Sequence, residues 1–177
     1  MAGHYAAMSE FLLRGYNTAL PVVDRGDDLL TIEDDEGDVR RVQVKTRAID
    51  PCRAVPCPGC KICIHGYWCA SAKVSRKQLQ EDKNTPLHYI FVLRSEDSWC
   101  FVLISKLDLV ELFDKACGSN PRMKGHDVAA SDDLQVNITV KPEEFATFWG
   151  QPLANYPDVW RDFPPTRFAT TAPMSGQ

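Results

Sequence analysis

The fold is decided by two apolar-rich segments, GDDLLTI at residues 26–32 and VQVKT at residues 42–46, which flank the sequence DDEGD at residues 34–38. The Asp-Glu-Gly sequence tolerates the positive φ that a tight reversal requires, so this part of the chain predicts a β-hairpin. Its strands are expected at about residues 28–34 and 39–46. The hairpin is the starting point for the rest of the fold because it fixes which side chains share a face of the sheet.

Alternate residues of the second strand are expected to face opposite sides of the sheet. Gln43 and Lys45 then share a face with Arg41, while the two valines of the segment point into the core. If the hairpin pairs, Asp28 on the first strand approaches the same polar face. An acid, an amide oxygen and a lysine at one sheet edge are the smallest set of groups that can hold a divalent cation and a phosphate.

This arrangement resembles the PD-(D/E)XK nuclease superfamily at the residues just quoted. Asp28, which is followed by apolar residues, matches the family's metal-binding acid, and Gln43-Val44-Lys45 matches its E-x-K strand, with Gln where Glu is commoner. Upstream, the sequence GHYAAMSEFLLRGY at residues 3–16 is similar to the family's first helix, which ends in a glycine. Downstream, VSRKQL at residues 74–79 and the strands after it are similar to a bacterial branch of endonucleases.

The resemblance covers roughly residues 2–115 and implies an α/β (α+β) protein with a restriction-endonuclease-like fold. Such a fold has a mixed central β-sheet flanked by helices. Here a cysteine-rich, metal-bound loop is expected as an insertion after the strand that carries Gln43 and Lys45.

The function implied by the resemblance is a metal-dependent endodeoxyribonuclease that hydrolyses phosphodiester bonds in DNA. Asp28 would bind Mg²⁺ or Mn²⁺ by a carboxylate oxygen, Gln43 would contribute its amide carbonyl, and the backbone carbonyl of Val44 would complete the shell. Lys45 would orient the attacking water or stabilise the charge that develops at phosphorus. Because one site cuts one strand, cleavage of both strands implies a homodimer or a higher homo-oligomer.

Two residues depart from the family pattern. His4 occupies the helix position where many relatives carry a metal-binding Glu, and Gln43 replaces a carboxylate, so both lower the negative charge at the site. Glu10 is the nearest acid on the helix, but it lies about 240° further round it than His4, and position in the pattern favours His4. The departures support a second hypothesis, a catalytically degenerate module that binds nucleic acid. A third hypothesis is a structural subunit that is stabilised by a metal site.

Five of the seven cysteines fall within residues 52–69. Two-residue gaps that contain Pro and Gly bring thiolates round one ion, so residues 50–69 predict a metal-binding insertion. Four thiolates suit tetrahedral zinc, whereas three cysteines in successive two-residue steps also suit an iron–sulfur cluster. Zinc is favoured because the fourth cysteine follows within a short loop. The predicted ligands are Cys57, Cys60, Cys63 and Cys69, with Cys52 or His65 as a spare, while Cys100 and Cys117 are expected in the core.

The net charge of −4 is unevenly distributed. Residues 39–77 contain nine basic residues and one acid, so this segment carries +8 while the rest of the chain carries −12. Phosphate backbones bind through such local patches, although an ordinary solvated face is the alternative. DNA is therefore the expected partner, and the predicted contacts are Arg41, Arg47, Arg53, Lys61, Lys73, Arg76 and Lys77.

The chain of 177 residues is expected to form one domain over residues 1–163, followed by a disordered tail rich in Pro, Thr and Ala over residues 164–177. Its sequence contains neither a signal peptide nor an apolar run that could cross a bilayer. A cytoplasmic protein with no membrane partner is therefore predicted, with its cysteines reduced or metal-bound.

The remaining elements are predicted from apolar periodicity and from Gly and Pro. Helices are expected at residues 3–14, where Gly15 ends the first helix, at 107–116 with Gly118 as a cap, and from Pro142 through Trp149; strands are expected at 17–23, 71–74, 88–94, 99–104 and 134–140.

Overall fold

Two five-stranded β-sheets and three helices make up the part of the chain that the computed structural model describes. The described residues are 2–22, 28–33, 39–51, 68–80, 86–94, 99–119, 133–141 and 144–153. The helices are α1 (Ala2–Leu13), α2 (Arg76–Gln80) and α3 (Lys106–Ser119). The strands are β1 (Tyr16–Ala19), β2 (Leu29–Glu33), β3 (Val39–Ala48), β4 (Asp50–Pro51), β5 (Trp68–Ser75), β6 (Leu87–Arg94), β7 (Trp99–Ser105), β8 (Asp133–Lys141), β9 (Glu144–Phe148) and β10 (Gln151–Pro152).

The first sheet is mixed and has the strand order β1-β2-β3-β6-β7. β3 and β6 are parallel, and the other neighbours are antiparallel. β2 and β3 form the predicted antiparallel pair, with Leu29 opposite Val42 and Ile32 opposite Val39. The turn expected at residues 34–38 lies outside the described residues. A mixed sheet flanked by helices, as predicted for the α/β (α+β) class, is confirmed at this level.

One face of the first sheet is covered by α1. Gly3, Ala7 and Phe11 recur every fourth residue and form the buried stripe of this helix. They pack on a core that includes Val42 and Val44, so the valines of β3 point inward as predicted. The helix ends where predicted, because Gly15 has a φ of 87°, in the left-handed region that favours glycine.

The opposite face of the first sheet packs against the second sheet and α3. Along β6, Tyr89 and Phe91 belong to this second core, while Ile90 and Val92 belong to the core under α1. Both faces of the central strand are therefore buried, which is why its sequence is a continuous apolar run. The strands predicted at residues 88–94 and 99–104 are confirmed as the antiparallel pair β6 and β7.

The second sheet is antiparallel, has the order β10-β9-β8-β5-β4, and was not predicted as a separate sheet. The helix predicted from Pro142 through Trp149 is wrong, because Glu144–Phe148 pairs with β8 as a strand. Phe148 is fully buried, and its ring meets that of Phe91 edge-on with the centroids 5.0 Å apart. Packing of Phe148 on the core of the first sheet thus outweighs the local helix signal of the proline.

Three smaller boundaries also differ from the predictions. α3 continues to Ser119, so Gly118 lies inside the helix and does not cap it. β1 ends at Ala19 instead of residue 23, and β5 begins at Trp68, three positions before the predicted strand at 71–74. Cys100 is buried in β7 and Cys117 is half-buried on α3 against the core, as predicted for both.

Some predictions fall on parts of the chain outside the described residues. These are the single-domain boundary at residue 163, the tail at 164–177, and most of the cysteine-rich insertion, including Cys52, Cys57, Cys60 and Cys63. Among the three described helices, none has the length and apolar character needed to span a bilayer.

Candidate active site

Asp28 lies just before β2, where it bonds to β3 through both its backbone and its side chain. Its N–H donates to the carbonyl of Val42 at 3.2 Å, and its Oδ2 accepts from the N–H of Val44 at 2.8 Å. β2 begins one residue later, so the carboxylate bonds to the backbone of β3 directly beside the start of the paired strands. This bond fixes the position of the acid relative to β3 and leaves Oδ1 pointing elsewhere.

Val44 presents its carbonyl to the same edge as Asp28. In an extended strand the N–H and C=O of one residue point to the same side, which is why opposed residues of an antiparallel pair exchange two bonds. Since the N–H of Val44 reaches Asp28, its carbonyl oxygen lies along the same edge of β3. The structure therefore brings together the carboxylate and the backbone oxygen that the sequence predicts as ligands.

His4 is the group that α1 adds to this cluster. Its Nε2 lies 3.7 Å from Oδ1 of Asp28, and the two side chains are 34% and 31% exposed. Glu10 is engaged elsewhere, because its Oε1 accepts from Nε and NH2 of Arg14 at 3.0 and 2.9 Å. The structure thus brings His4, the residue favoured by the sequence pattern, to Asp28, and ties Glu10 to its own helix.

Gln43 and Lys45 share the face of β3 that is turned away from α1. Lys45 donates from Nζ to Oε1 of Gln43 at 3.0 Å. Gln43 is only 4% exposed, so the polar face predicted for β3 is in fact largely enclosed. The reason is that a second sheet, which the sequence analysis did not predict, packs on this side of the first sheet. A buried amide oxygen holding an ammonium group is a fixed arrangement with little freedom to rotate.

Burial lowers the pKa of Lys45 from its usual value, because the charged form loses solvation. The negative charges of Asp28 and Asp133 oppose this effect and raise the pKa, while the positive charge of Arg47 lowers it further. Lys45 therefore lies in the fields of two carboxylates, that of Asp28 just before β2 and that of Asp133 at the start of β8.

Asp133 is an acid that the sequence analysis did not connect with Lys45, and its negative charge raises the pKa of that lysine. It begins β8 and pairs with Ser75 at the end of β5. β5 returns alongside β3, since Asp50 of β4 pairs with Cys69 and Nε of Arg47 donates to the carbonyl of Ser71 at 2.9 Å. This path brings the start of β8 near Lys45. No sequence motif points to Asp133, because the contact depends on the second sheet.

The oxygens of this cluster suit a divalent cation that keeps most of its waters. Mg²⁺ is often held by one or two carboxylates and completes its octahedron with water. Asp28 supplies carboxylate oxygens, Val44 a backbone oxygen and Gln43 an amide oxygen, all hard donors. Within the described ranges, no three His, Cys, Asp or Glu side chains come close enough together to form a metal site on their own. The donor set therefore fits a weakly held, hydrated cation.

The predicted phosphate contacts differ in exposure. Arg47 and Lys73 are exposed on β3 and β5, and Lys77 is exposed on α2. Arg41 is half-buried, and Arg76 is buried with only 7% of its surface exposed. Arg53 and Lys61 lie outside the described residues. Arg47, Lys73 and Lys77 are thus the described members of this set that reach solvent most freely.

Cys69 is the one predicted zinc or iron–sulfur ligand that falls within the described residues. It lies on β5, half-buried, between Asp50 of β4 and Thr139 of β8. It is disulfide-bonded, and a disulfide sulfur cannot act as a thiolate ligand. The prediction of a reduced or metal-bound cysteine is therefore wrong for Cys69, and its metal-binding role stays a prediction for the reduced protein.

Comparisons of the chain with protein-family models, with curated proteins and with solved structures give no match.

Proposed function

We propose that this protein is a metal-dependent DNA endonuclease of the PD-(D/E)XK type, with the corresponding restriction-endonuclease-like fold. The observation that supports the proposal most strongly is the pairing of Asp28 with β3. The bond from the N–H of Val44 to Asp28, together with the bond from Lys45 to Gln43, gathers an acid, an amide and a lysine along one short stretch of strand. His4 joins them from a separate helix.

The ligands of a Mg²⁺ or Mn²⁺ ion in this proposal are Asp28, the carbonyl of Val44 and the amide oxygen of Gln43. A bound divalent cation supplies Lewis-acid charge and makes water more acidic. Asp28 contributes the negative charge that attracts the ion, and its bond to β3 keeps the carboxylate in one orientation. His4 lies at the open side of Asp28, where it can bind a water or a phosphate oxygen.

Lys45 carries the electrostatic part of the proposed chemistry. Its ammonium group is held by Oε1 of Gln43, so it is oriented before substrate arrives. A positioned cation stabilises the negative charge that develops on the phosphoryl oxygens in the transition state, and enclosure in the protein strengthens this effect. The hydrogen bond and the burial of Lys45 both support this role.

DNA is the proposed substrate, and exposed cations near the site support it. Arg47 lies two residues beyond Lys45 on β3, and its guanidinium reaches Ser71 on β5, the strand that carries Lys73. These residues would hold the phosphates that flank the scissile bond. Cutting both strands of a duplex would then require a second copy of the chain, as a homodimer or a higher homo-oligomer.

A second candidate function is a nucleic-acid-binding module without catalysis. It is favoured by the neutral Gln43, which leaves Asp28 as the one carboxylate in the proposed metal shell. In that case the exposed cations, with or without a zinc or iron–sulfur site in the cysteine-rich segment, would bind phosphates and nothing would be cut.

Cleavage of supercoiled plasmid in Mg²⁺ and Mn²⁺ tests the proposal, with Lys45→Ala as the variant. We expect wild type to nick the plasmid and Lys45→Ala to lose about 10²- to 10⁴-fold in rate, the usual contribution of such a group. Lys115→Ala, which removes an exposed lysine from α3, is the matched control and should cut like wild type. Equal cleavage by the Lys45 and Lys115 variants would refute the assignment. DNA binding by wild type without any cleavage would favour the second candidate.

A further inference from the structure

The contact between α1 and β3 depends on a glycine. Gly3 is buried and faces Thr46, and a Cβ atom added at Gly3 would overlap Oγ1 of Thr46 and lie 2.8 Å from both its Cβ and its Cγ2. Real Cβ atoms do not approach other carbons so closely. Rotation of the threonine does not relieve the overlap, because its own Cβ stays in place. The helix can lie this near the strand only without a side chain at position 3.

The buried stripe of α1 becomes larger along the helix, from Gly3 through Ala7 to Phe11. Small residues let elements approach closely, and larger ones hold them apart. At its N-terminal end, α1 lies so close to β3 that no Cβ fits between Gly3 and Thr46. That end carries His4, the next residue after Gly3.

Asp28 contacts both elements that meet at Gly3, β3 through Val44 and α1 through His4. Thr46 lies two residues after Val44, whose N–H fixes Asp28, and on the other side Oδ1 of Asp28 lies 3.7 Å from Nε2 of His4. The position of Asp28 is thus set by β3, and the position of His4 is set by how near α1 comes to the same strand. A shift of the helix would separate the two side chains without touching either of them.

We propose that Gly3 is a positioning residue, whose missing side chain brings His4 to Asp28. The spacing follows from the structure alone, while its effect on cleavage rests on the proposed function. Gly3 itself touches no reacting atom and acts through His4.

Substitution by alanine separates this role from helix stability. Gly→Ala inside a helix ordinarily favours the helix, because alanine has the higher propensity. Gly118 on α3 provides the matched control, since a Cβ there would meet nothing within 4 Å. Gly3→Ala and Gly118→Ala are therefore the same chemical change, with and without a neighbour in the way.

The first experiment is a double-mutant cycle on cleavage rate with Gly3→Ala and His4→Ala. We expect Gly3→Ala to lose about 10²-fold, the typical cost of displacing a site group by about 1 Å, and Gly118→Ala to cut at the wild-type rate. If Gly3 acts through His4, Gly3→Ala should cost nothing more in the His4→Ala background. Additive losses would overturn the proposal, and so would equal rates for the two glycine variants.

A second-site rescue variant and NMR spectra test the proposal without depending on cleavage activity or on the folding of a single variant. Thr46→Gly removes the three atoms that lie nearest to the new Cβ, so Gly3→Ala/Thr46→Gly should recover the helix position. In the wild type and in this double variant, Asp28→Asn should shift the ring resonances of His4; in Gly3→Ala it should not. If wild type cuts no DNA, the proposed nuclease function fails, and the resonances alone decide. A His4 response to Asp28→Asn that survives in Gly3→Ala, or that Thr46→Gly fails to restore, would overturn the proposal.

Discussion

At the scale of single residues, the two oxygens of Asp28 have different tasks. Oδ2 accepts the N–H of Val44, while Oδ1 faces His4. A buried carboxylate at position 43 would place a second charge in an enclosed position, which is costly unless it is paired. Gln43 avoids that cost and still accepts a hydrogen bond from Lys45. The neutral amide is therefore physically consistent with the covered face of β3.

Asp133→Asn should lower the pKa of Lys45 further. The carboxylate of Asp133 raises that pKa and partly offsets burial, so the variant keeps the lowering effect and loses part of the opposing one. Lys45 would then lose its proton at a lower pH, and if its charge is needed, the decline of cleavage at alkaline pH should begin earlier. NMR titration of the Lys45 side chain in metal-free protein measures the pKa directly.

The matched control for this prediction is Asp114→Asn, which removes an exposed acid from α3. It removes the same amount of negative charge from the protein without acting on Lys45, so it should leave the titration of Lys45 unchanged. An unchanged pKa of Lys45 in Asp133→Asn would mean that the second sheet does not influence the site.

The sequence predicts the part of the site that is local to one hairpin and misses the part that crosses between sheets. Asp28, Gln43 and Lys45 could be placed together because strand alternation and a single turn determine their positions. His4 required the resemblance to a family helix. Asp133 could not be found, because its approach to Lys45 depends on how β4 and β5 return beside β3. The route by which the chain crosses from one sheet to the other produces no periodic pattern in the sequence.

At the scale of elements, a local signal explains the error at β9. A proline followed by acidic residues is a good local signal for a helix start, and residues 142–144 carry it. β8 offers unpaired hydrogen-bonding groups along its edge, and Glu144–Phe148 pairs with them. Trp149 and Gly150 then adopt positive φ values of 51° and 81°, which turn the chain back into β10. β8 and β9 are neighbours in the sequence, so the error came from weighing the proline signal above strand pairing and the burial of Phe148.

Ser105, the last residue of β7, caps the start of α3 through two bonds with Asp108, which gives a prediction about stability. Its Oγ accepts from the N–H of Asp108 at 3.1 Å and donates to Oδ2 of Asp108 at 2.8 Å. Ser105→Ala removes both bonds and should lower the free energy of unfolding by about 1 kcal/mol, as for other caps. Urea denaturation should show a lower midpoint with an unchanged slope.

Ser9→Ala is the control for this prediction, because Ser9 is exposed in the middle of α1. Alanine is the better helix former there, so the midpoint should stay the same or rise. If both variants behave alike, the cap of α3 contributes nothing and the helix is held by its buried face alone, which includes Leu109 and Phe113.

At the scale of the whole molecule, the sequence predicts one sheet and the chain forms two. The strands of the second sheet are individually visible, since residues 71–74 and 134–140 were both expected as strands. What the sequence does not reveal is that β3 continues through β4 into a second layer. Once that layer is present, it covers the face of β3 that carries Gln43, and it turns an exposed polar edge into an enclosed site.

The uneven distribution of charge over the whole molecule leads to the last prediction. The net charge is −4, yet residues 39–77 carry an excess of basic groups. If DNA binds at this segment, Lys73 is a phosphate contact, because it is exposed on β5 beside the strand position that Arg47 reaches. The acidic remainder of the chain would repel DNA and so orient the molecule.

Lys73→Gln should therefore weaken DNA binding and reduce its dependence on salt. Each phosphate contact releases counterions, so losing one contact should reduce the slope of log affinity against log salt by about 0.9. Lys115→Gln makes the same change of net charge on the exposed surface of α3 and should leave the slope as in wild type. Fluorescence anisotropy on a short duplex, titrated at several salt concentrations, measures both slopes. Equal slopes for the two variants would indicate that overall charge, and not a local contact at Lys73, governs binding.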